Sequence, residues 1–154
     1  GLINGLLDLD IKFNDDNKFV NSSLSKIKSV NFNDFKMHHK KYLYKNKKTN
    51  MVSVVNKDHK EAKNAELSYK TLDRKDGFSL VEIDLKTGRP HQIRVQFASR
   101  KHPLYGDQRY GQNVNKVGQQ IALWSHKLEI IHPTTKEKME FICEPPNEYP
   151  WNLL

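Results

Sequence analysis

Leu85-Lys86-Thr87-Gly88-Arg89-Pro90-His91-Gln92-Ile93-Arg94-Val95 is the stretch on which the reading of this chain turns, because the period of its apolar residues changes within it. Ahead of it, Leu67-Ser68-Tyr69-Lys70-Thr71-Leu72 and Phe78-Ser79-Leu80-Val81-Glu82-Ile83-Asp84-Leu85 alternate as strands do. Between them Asp73-Arg74-Lys75-Asp76-Gly77 is predicted to turn, with Asp76-Gly77 the hairpin signal, since glycine accepts the positive φ of a tight turn. Behind it, Ile93 and Phe97, with Ala98, fall on one helical face. A short helix is therefore predicted after Pro90, whose missing N–H costs nothing in a first turn, and it should stop near Lys101, ahead of His102-Pro103.

Working outward, Ile121-Ala122-Leu123-Trp124-Ser125-His126-Lys127-Leu128-Glu129-Ile130-Ile131 ends as a strand. Met139, Phe141 and Cys143 make its returning partner across His132-Pro133-Thr134-Thr135-Lys136-Glu137. Cys143 is expected as a buried, inert strand thiol, and Trp151 as a cap on the core. The segment up to residue 60 is crowded with Asn, Lys, Asp and Ser, as in Lys45-Asn46-Lys47-Lys48-Thr49-Asn50. Surface loops or short solvated helices are expected there, with the run His38-His39-Lys40-Lys41 as a solvated face and Tyr42 and Tyr44 on a half-buried strand. The division predicted is 1–60, weakly specified, and 61–154, the folded part. The fold class is α+β, a mostly antiparallel mixed sheet with short helices.

Composition limits what such a chain does. At 154 residues and 18.0 kDa it is one domain or a piece of one, and 36% hydrophobic residues are few for a self-contained core. With Gly1 in place of a starting methionine, this leads us to expect a piece of a longer protein. The 26 Lys and Arg against 18 Asp and Glu give a net charge of +8, suited to a polyanion. One cysteine excludes an intramolecular disulfide or a cysteine metal cluster and fits a reducing cytoplasm. No apolar run approaches the ~20 residues of a bilayer span, so a soluble chain with no membrane partner is expected.

The densest polar constellation is Arg89, His91, Gln92 and Arg94, at a strand-to-helix junction where backbone N–H groups favour an anion. Two arginines there could bind phosphate, or hold an ionised aspartate through a charge-assisted pair. Equally, they could form structural salt bridges to Glu82 and Asp84 of the hairpin. Residue chemistry alone leaves both open.

The run 85–95, followed by His102-Pro103-Leu104-Tyr105-Gly106-Asp107-Gln108-Arg109-Tyr110-Gly111, closely resembles the C-terminal signature of RluA-type RNA pseudouridine synthases. That signature is T-G-R-T-H-Q-I-R-V and then H-P-I-x-G-D-x-x-Y-G. Pro90 stands where the family has Thr or Ser, Gln96 where His is common, and Trp124-Ser125 where His-Ala is frequent. The resemblance, strong from about residue 60 to 146, implies the C-terminal part of a catalytic core that isomerises uridine in ribosomal or transfer RNA, without cofactor or metal. An aspartate attacks the flipped-out uridine, the glycosidic bond breaks, the base rotates and re-attaches through carbon. Arg94 would be the catalytic arginine that pairs with that aspartate. Arg89, His91 and Gln92 would orient the loop or touch RNA, and Ile93 and Val95 would line the base pocket.

The aspartate itself belongs to an H-R-L-D-R segment that nothing in these 154 residues matches. Leu72-Asp73-Arg74 copies three of its letters, but it lies in the hairpin before the signature, so Asp73 is read as a turn residue. The expected partners are accordingly RNA, the missing N-terminal half of the same catalytic domain, and a second copy associating through an exposed sheet edge. The fragment alone should be inactive. The rival readings are a noncatalytic basic RNA-binding module and a structural remnant that binds no RNA.

Overall fold

Apolar residues on alternate positions of two neighbouring strands can share one face only if the strands pair in register, and that condition is met at the centre of the sheet. The computed structural model describes residues 20–28, 37–75 and 77–153. In it, seven strands are β1 (Val20–Lys28), β2 (Met37–Lys45), β3 (Val52–Val55), β4 (Lys63–Lys75), β5 (Phe78–Leu85), β6 (Leu123–Ile131) and β7 (Lys138–Ile142). They form a single antiparallel sheet in the order β3-β2-β4-β5-β1-β6-β7. One α-helix, α1 (Gln92–Ala98), and a 3-10 turn, Trp151–Leu153, complete the described elements, so the fold is α+β.

The hairpin of β4 and β5 pairs Leu67 with Leu85, Tyr69 with Ile83 and Thr71 with Val81. Of these, Leu67, Tyr69, Val81, Ile83 and Leu85 meet Ile93 and Phe97 of α1, four residues apart on one helical face, and Leu104 and Leu123, in the main core. Burying each such side chain contributes roughly 1.5–3 kcal/mol. The turn is shorter than predicted. A register shift between Thr71 and Asp73 keeps 73–75 in β4, so the reversal falls between Lys75 and Phe78, with Gly77 at φ 78° and Asp76 outside the described residues.

Among the described residues, the Asn- and Lys-rich segment is strand at Val20–Lys28, Met37–Lys45 and Val52–Val55, where loops or short helices were expected, while 46–51 turn as expected. Its β2 and β3 pair with each other, β2 pairs with β4, and β1 is inserted between β5 and β6. Neighbouring strands, rather than its own composition, decide its conformation. Tyr42 and Tyr44 are half-buried on β2, as read. His39 is not part of a solvated face: it is 2% exposed, edge-on to Tyr69 at 4.8 Å and near Phe97 at 5.9 Å.

Helix α1 starts two residues after Pro90, because His91 takes the left-handed conformation, φ 51°, that a first-turn residue cannot have. It ends at Ala98, three residues before Lys101, and a turn carries the chain on to that position. Lys101 N–H bonds the Ala98 carbonyl and His102 N–H the Phe97 carbonyl, with Lys101 at φ 66°, a left-handed cap that closes the turn before Pro103. The second hairpin pairs Ile131 with Lys138, and Trp151 packs with Ala122 against Leu80, Tyr105 and Trp124. Cys143 departs from expectation: it lies exposed just past β7. As an edge strand beyond the helix-covered part of the sheet, β7 also leaves Phe141 50% and Ile142 57% exposed.

Candidate functional site

The loop between β5 and α1 is tied to the backbone of one residue. The Glu66 carbonyl accepts Lys86 N–H at 3.0 Å, Thr87 N–H at 3.2 Å and the Gln92 amide at 3.0 Å, while Glu66 N–H donates to the Thr87 hydroxyl at 2.8 Å. Gln92 Oε1 accepts the Thr87 hydroxyl at 2.7 Å and Arg89 N–H at 3.0 Å. Gln92 is 3% exposed. It therefore acts as a clamp that fixes the loop, and its own side chain takes the N–H group that an incoming anion would have needed.

Arg94 is the half-buried residue this clamp presents. Its Nε donates to Asp107 Oδ2 at 3.0 Å and its Nη2 to Asp107 Oδ1 at 2.8 Å, a side-on bidentate pair. The Tyr110 ring lies under the guanidinium, 5.1 Å from centroid to Cζ. Arg94 thus sits in an intramolecular salt bridge, and its carboxylate partner is Asp107. Glu82 is instead paired with Lys70 at 3.4 Å, and Arg89 Nε donates to the Asn64 carbonyl at 2.8 Å.

Asp107 is fully enclosed. Besides Arg94, its Oδ1 accepts the N–H groups of Arg109 and Tyr110, both at 3.0 Å. Burial alone would push this carboxyl up, but the Arg94 hydrogen bonds and charge and the two backbone donors outweigh it and hold the carboxyl below its ordinary range. Tyr110 is fixed in turn: Val52 N–H donates to its hydroxyl at 3.0 Å, and the hydroxyl lies 2.7 Å from His91 Nδ1. Burial pushes its phenol up, so it stays protonated near neutrality.

The residues singled out in the sequence are thus dispersed among different tasks. Arg94 and His91 converge on Tyr110. Ile93 lies in the main core and Val95 in a second cluster with Leu43, Val52 and Ala65. Asp73 is exposed on β4 and accepts its neighbour Arg74's N–H at 2.7 Å; among the described residues no bond joins it to Arg94. Asp107, Tyr110 and Thr87 carry the site's geometry without having been assigned a role in advance. The spacing Asp107-x-Arg109-Tyr110 was a readable signal, since an aspartate commonly caps N–H groups two and three residues on.

A carboxylate on its side edge leaves the other edge of the Arg94 guanidinium unfilled. Nη1 makes no hydrogen bond among the described residues, and the side chain keeps 15% of its surface open. That edge fits a second carboxylate or a phosphate in the same planar manner.

A family profile described as RNA pseudouridylate synthase matches residues 10–99, a span that takes in the Asn- and Lys-rich strands as well as α1. Among curated proteins, the uncharacterised RNA pseudouridine synthase YhcT of Bacillus subtilis is 49% identical over 63 residues, 41% of this chain and 20% of that protein. The ribosomal large subunit pseudouridine synthase D of Blochmanniella floridana is 33% identical over 105 residues, 58% of this chain and 33% of that protein. The chain therefore spans about a fifth to a third of the length of these relatives. A likeness of fold extends to the solved structure of human RNA pseudouridylate synthase domain containing 1, with a TM-score of 0.67 at 20% identity, over 84% of this chain and 55% of that one.

Proposed function

We propose, from the premise that this chain belongs to the RNA pseudouridylate synthase family, that it supplies the arginine half of an active site isomerising uridine in ribosomal or transfer RNA. The observation that carries this reading is the Arg94–Asp107 pair. Asp107 spends its charge on the inner edge of the guanidinium and so aims the outer edge at whatever carboxylate is brought to it. In this reading the nucleophilic aspartate, which no segment of these 154 residues matches, comes from outside this chain. Arg94 keeps it ionised and oriented, because an adjacent fixed cation favours the charged form. The Tyr110 ring and the clamp through Gln92 position Arg94; Arg89 and His91 border the RNA. A cytoplasmic location belongs to the same reading; among the described residues no helix is long and apolar enough to cross a membrane.

The test is pseudouridine formation on unmodified ribosomal and transfer RNA, with this chain alone and with a chain extended upstream through an H-R-L-D-R segment. Activity is expected only in the extended chain. There, Arg94→Ala should lower turnover by on the order of a hundredfold or more, as loss of a preorganised electrostatic group does, measured at a temperature where circular dichroism shows the variant folded although it leaves the buried Asp107 without its cation. Turnover by the 154-residue chain, or near-normal turnover of Arg94→Ala, would overturn the reading; silence of both chains would turn it toward a noncatalytic RNA-binding module.

A further inference from the structure

The register of β2 assembles a second cationic feature, apart from Arg94. Leu43 stands opposite Lys63 of β4, and Lys45 opposite Val52 of β3, so the period of two puts all four on one face. The loop at Arg89 and Pro90 lies over this face and encloses a groove of about 240 Å³. Its floor is apolar: Leu43 is 3% and Val52 4% exposed, packed with Val95, the residue next to Arg94. Its rim is cationic, with Lys45, Lys47, Lys63 and Arg89. The one carboxylate in the lining, Glu61, reaches only Lys47, at 3.9 Å and largely exposed on both sides, a pair worth little in solution. Among the described residues no carboxylate lies within ion-pair distance of Lys45, Lys63 or Arg89.

Three uncompensated cations around a small apolar floor are complementary to a sugar-phosphate unit, with the ribose on Leu43, Val52 and Pro90 and the phosphates at the rim. We propose that this groove binds the backbone of single-stranded RNA beside the Arg94 site, through Lys45, Lys63 and Arg89. The proposal rests on RNA being the substrate, as argued above, but its test does not require catalysis. Arg89 is already oriented by the Asn64 carbonyl, so little ordering is left for binding to impose on it.

The experiment measures the affinity of the 154-residue chain for a fluorescein-labelled twelve-nucleotide oligouridylate between 50 and 200 mM salt. The unchanged chain is compared with Lys45→Gln/Lys63→Gln and with a control of equal charge change, Lys75→Gln/Lys116→Gln, at exposed lysines outside the groove. The groove variant should bind about tenfold more weakly and lose about 1.4 from the slope of log affinity against log salt, about 0.7 for each single-strand phosphate contact removed. The control should stay within about twofold. Equal weakening of both variants would mean a general field effect and overturn the groove, as would an unaffected groove variant or an unchanged chain that binds no oligouridylate. Groove-dependent binding without pseudouridine formation in the extended chain would uphold the groove while the synthase reading failed. Full turnover of the extended chain with both lysines replaced, at unaltered KM, would do the reverse.

Discussion

Asp107 carries more of this site than any other single residue, since four hydrogen bonds end on its two oxygens. Asp107→Asn keeps the shape but removes the charge, and it turns an amide N–H toward the guanidinium in place of an acceptor. With the Arg94 side chain 15% exposed and that of Asp107 fully buried, the loss resembles the breaking of a buried ion pair, about 3–5 kcal/mol. Urea unfolding of the variant should show that destabilisation; a change below about 1 kcal/mol would mean that Arg94 is held by something else. Gln92 illustrates the opposite lesson. Of the two roles open to it, orienting the loop or touching RNA, its side-chain bonds to Glu66, Thr87 and Arg89 belong to the first. A polar residue in a recognisable motif cannot be assigned to ligand or loop until the destination of its hydrogen bonds is known.

At the scale of elements, the loop of residues 104–111 does for Asp107 what the Glu66 clamp does for Arg94. Asn115 braces it, donating to the carbonyls of Leu104 and Asp107 and accepting Gly106 N–H at 2.9 Å. Gly106 has φ 76°, and a Cβ there would overlap the backbone carbonyl of Gln120. Gly77, in the β4–β5 turn, has φ 78° with nothing within 4 Å. The two differ only in space. Gly77→Ala should therefore cost about 1 kcal/mol, the backbone strain alone. Gly106→Ala should cost clearly more and displace Asp107, lowering the melting temperature well beyond that of Gly77→Ala. Equal melting temperatures would show that the loop gives way freely.

Over the whole molecule, the sheet buries a histidine that tunes its acid stability. Burial, then the nearby charges of Arg100, His38, Lys41 and His102, lower the His39 pKa from 6.5 to about 4. Burial shifts His102 in the same direction. Between these values the unfolded chain binds a proton that the folded chain refuses, so stability is complete above pH 6.5 and declines as pH falls toward 4. For His39 the loss is about 3 kcal/mol. The urea midpoint should drop between pH 7.5 and 4.5, and His39→Phe, which can keep the packing on Tyr69 and Phe97, should remove much of that slope; an undiminished slope would exclude His39 as its source. The sequence by itself determined the β4–β5 hairpin, the short helix with Ile93 and Phe97 inward, and the final hairpin. Each is written in local periods and turn chemistry over a dozen residues. Only the tertiary structure decided that β1, β2 and β3 within the Asn- and Lys-rich segment are strands, that His39 is core, and that Asp107 is the partner of Arg94. It also brought Lys45, Lys63 and Arg89 around one groove. These depend on which strand lies beside which and where a side chain's hydrogen bonds end, and residues far apart in the chain supply both.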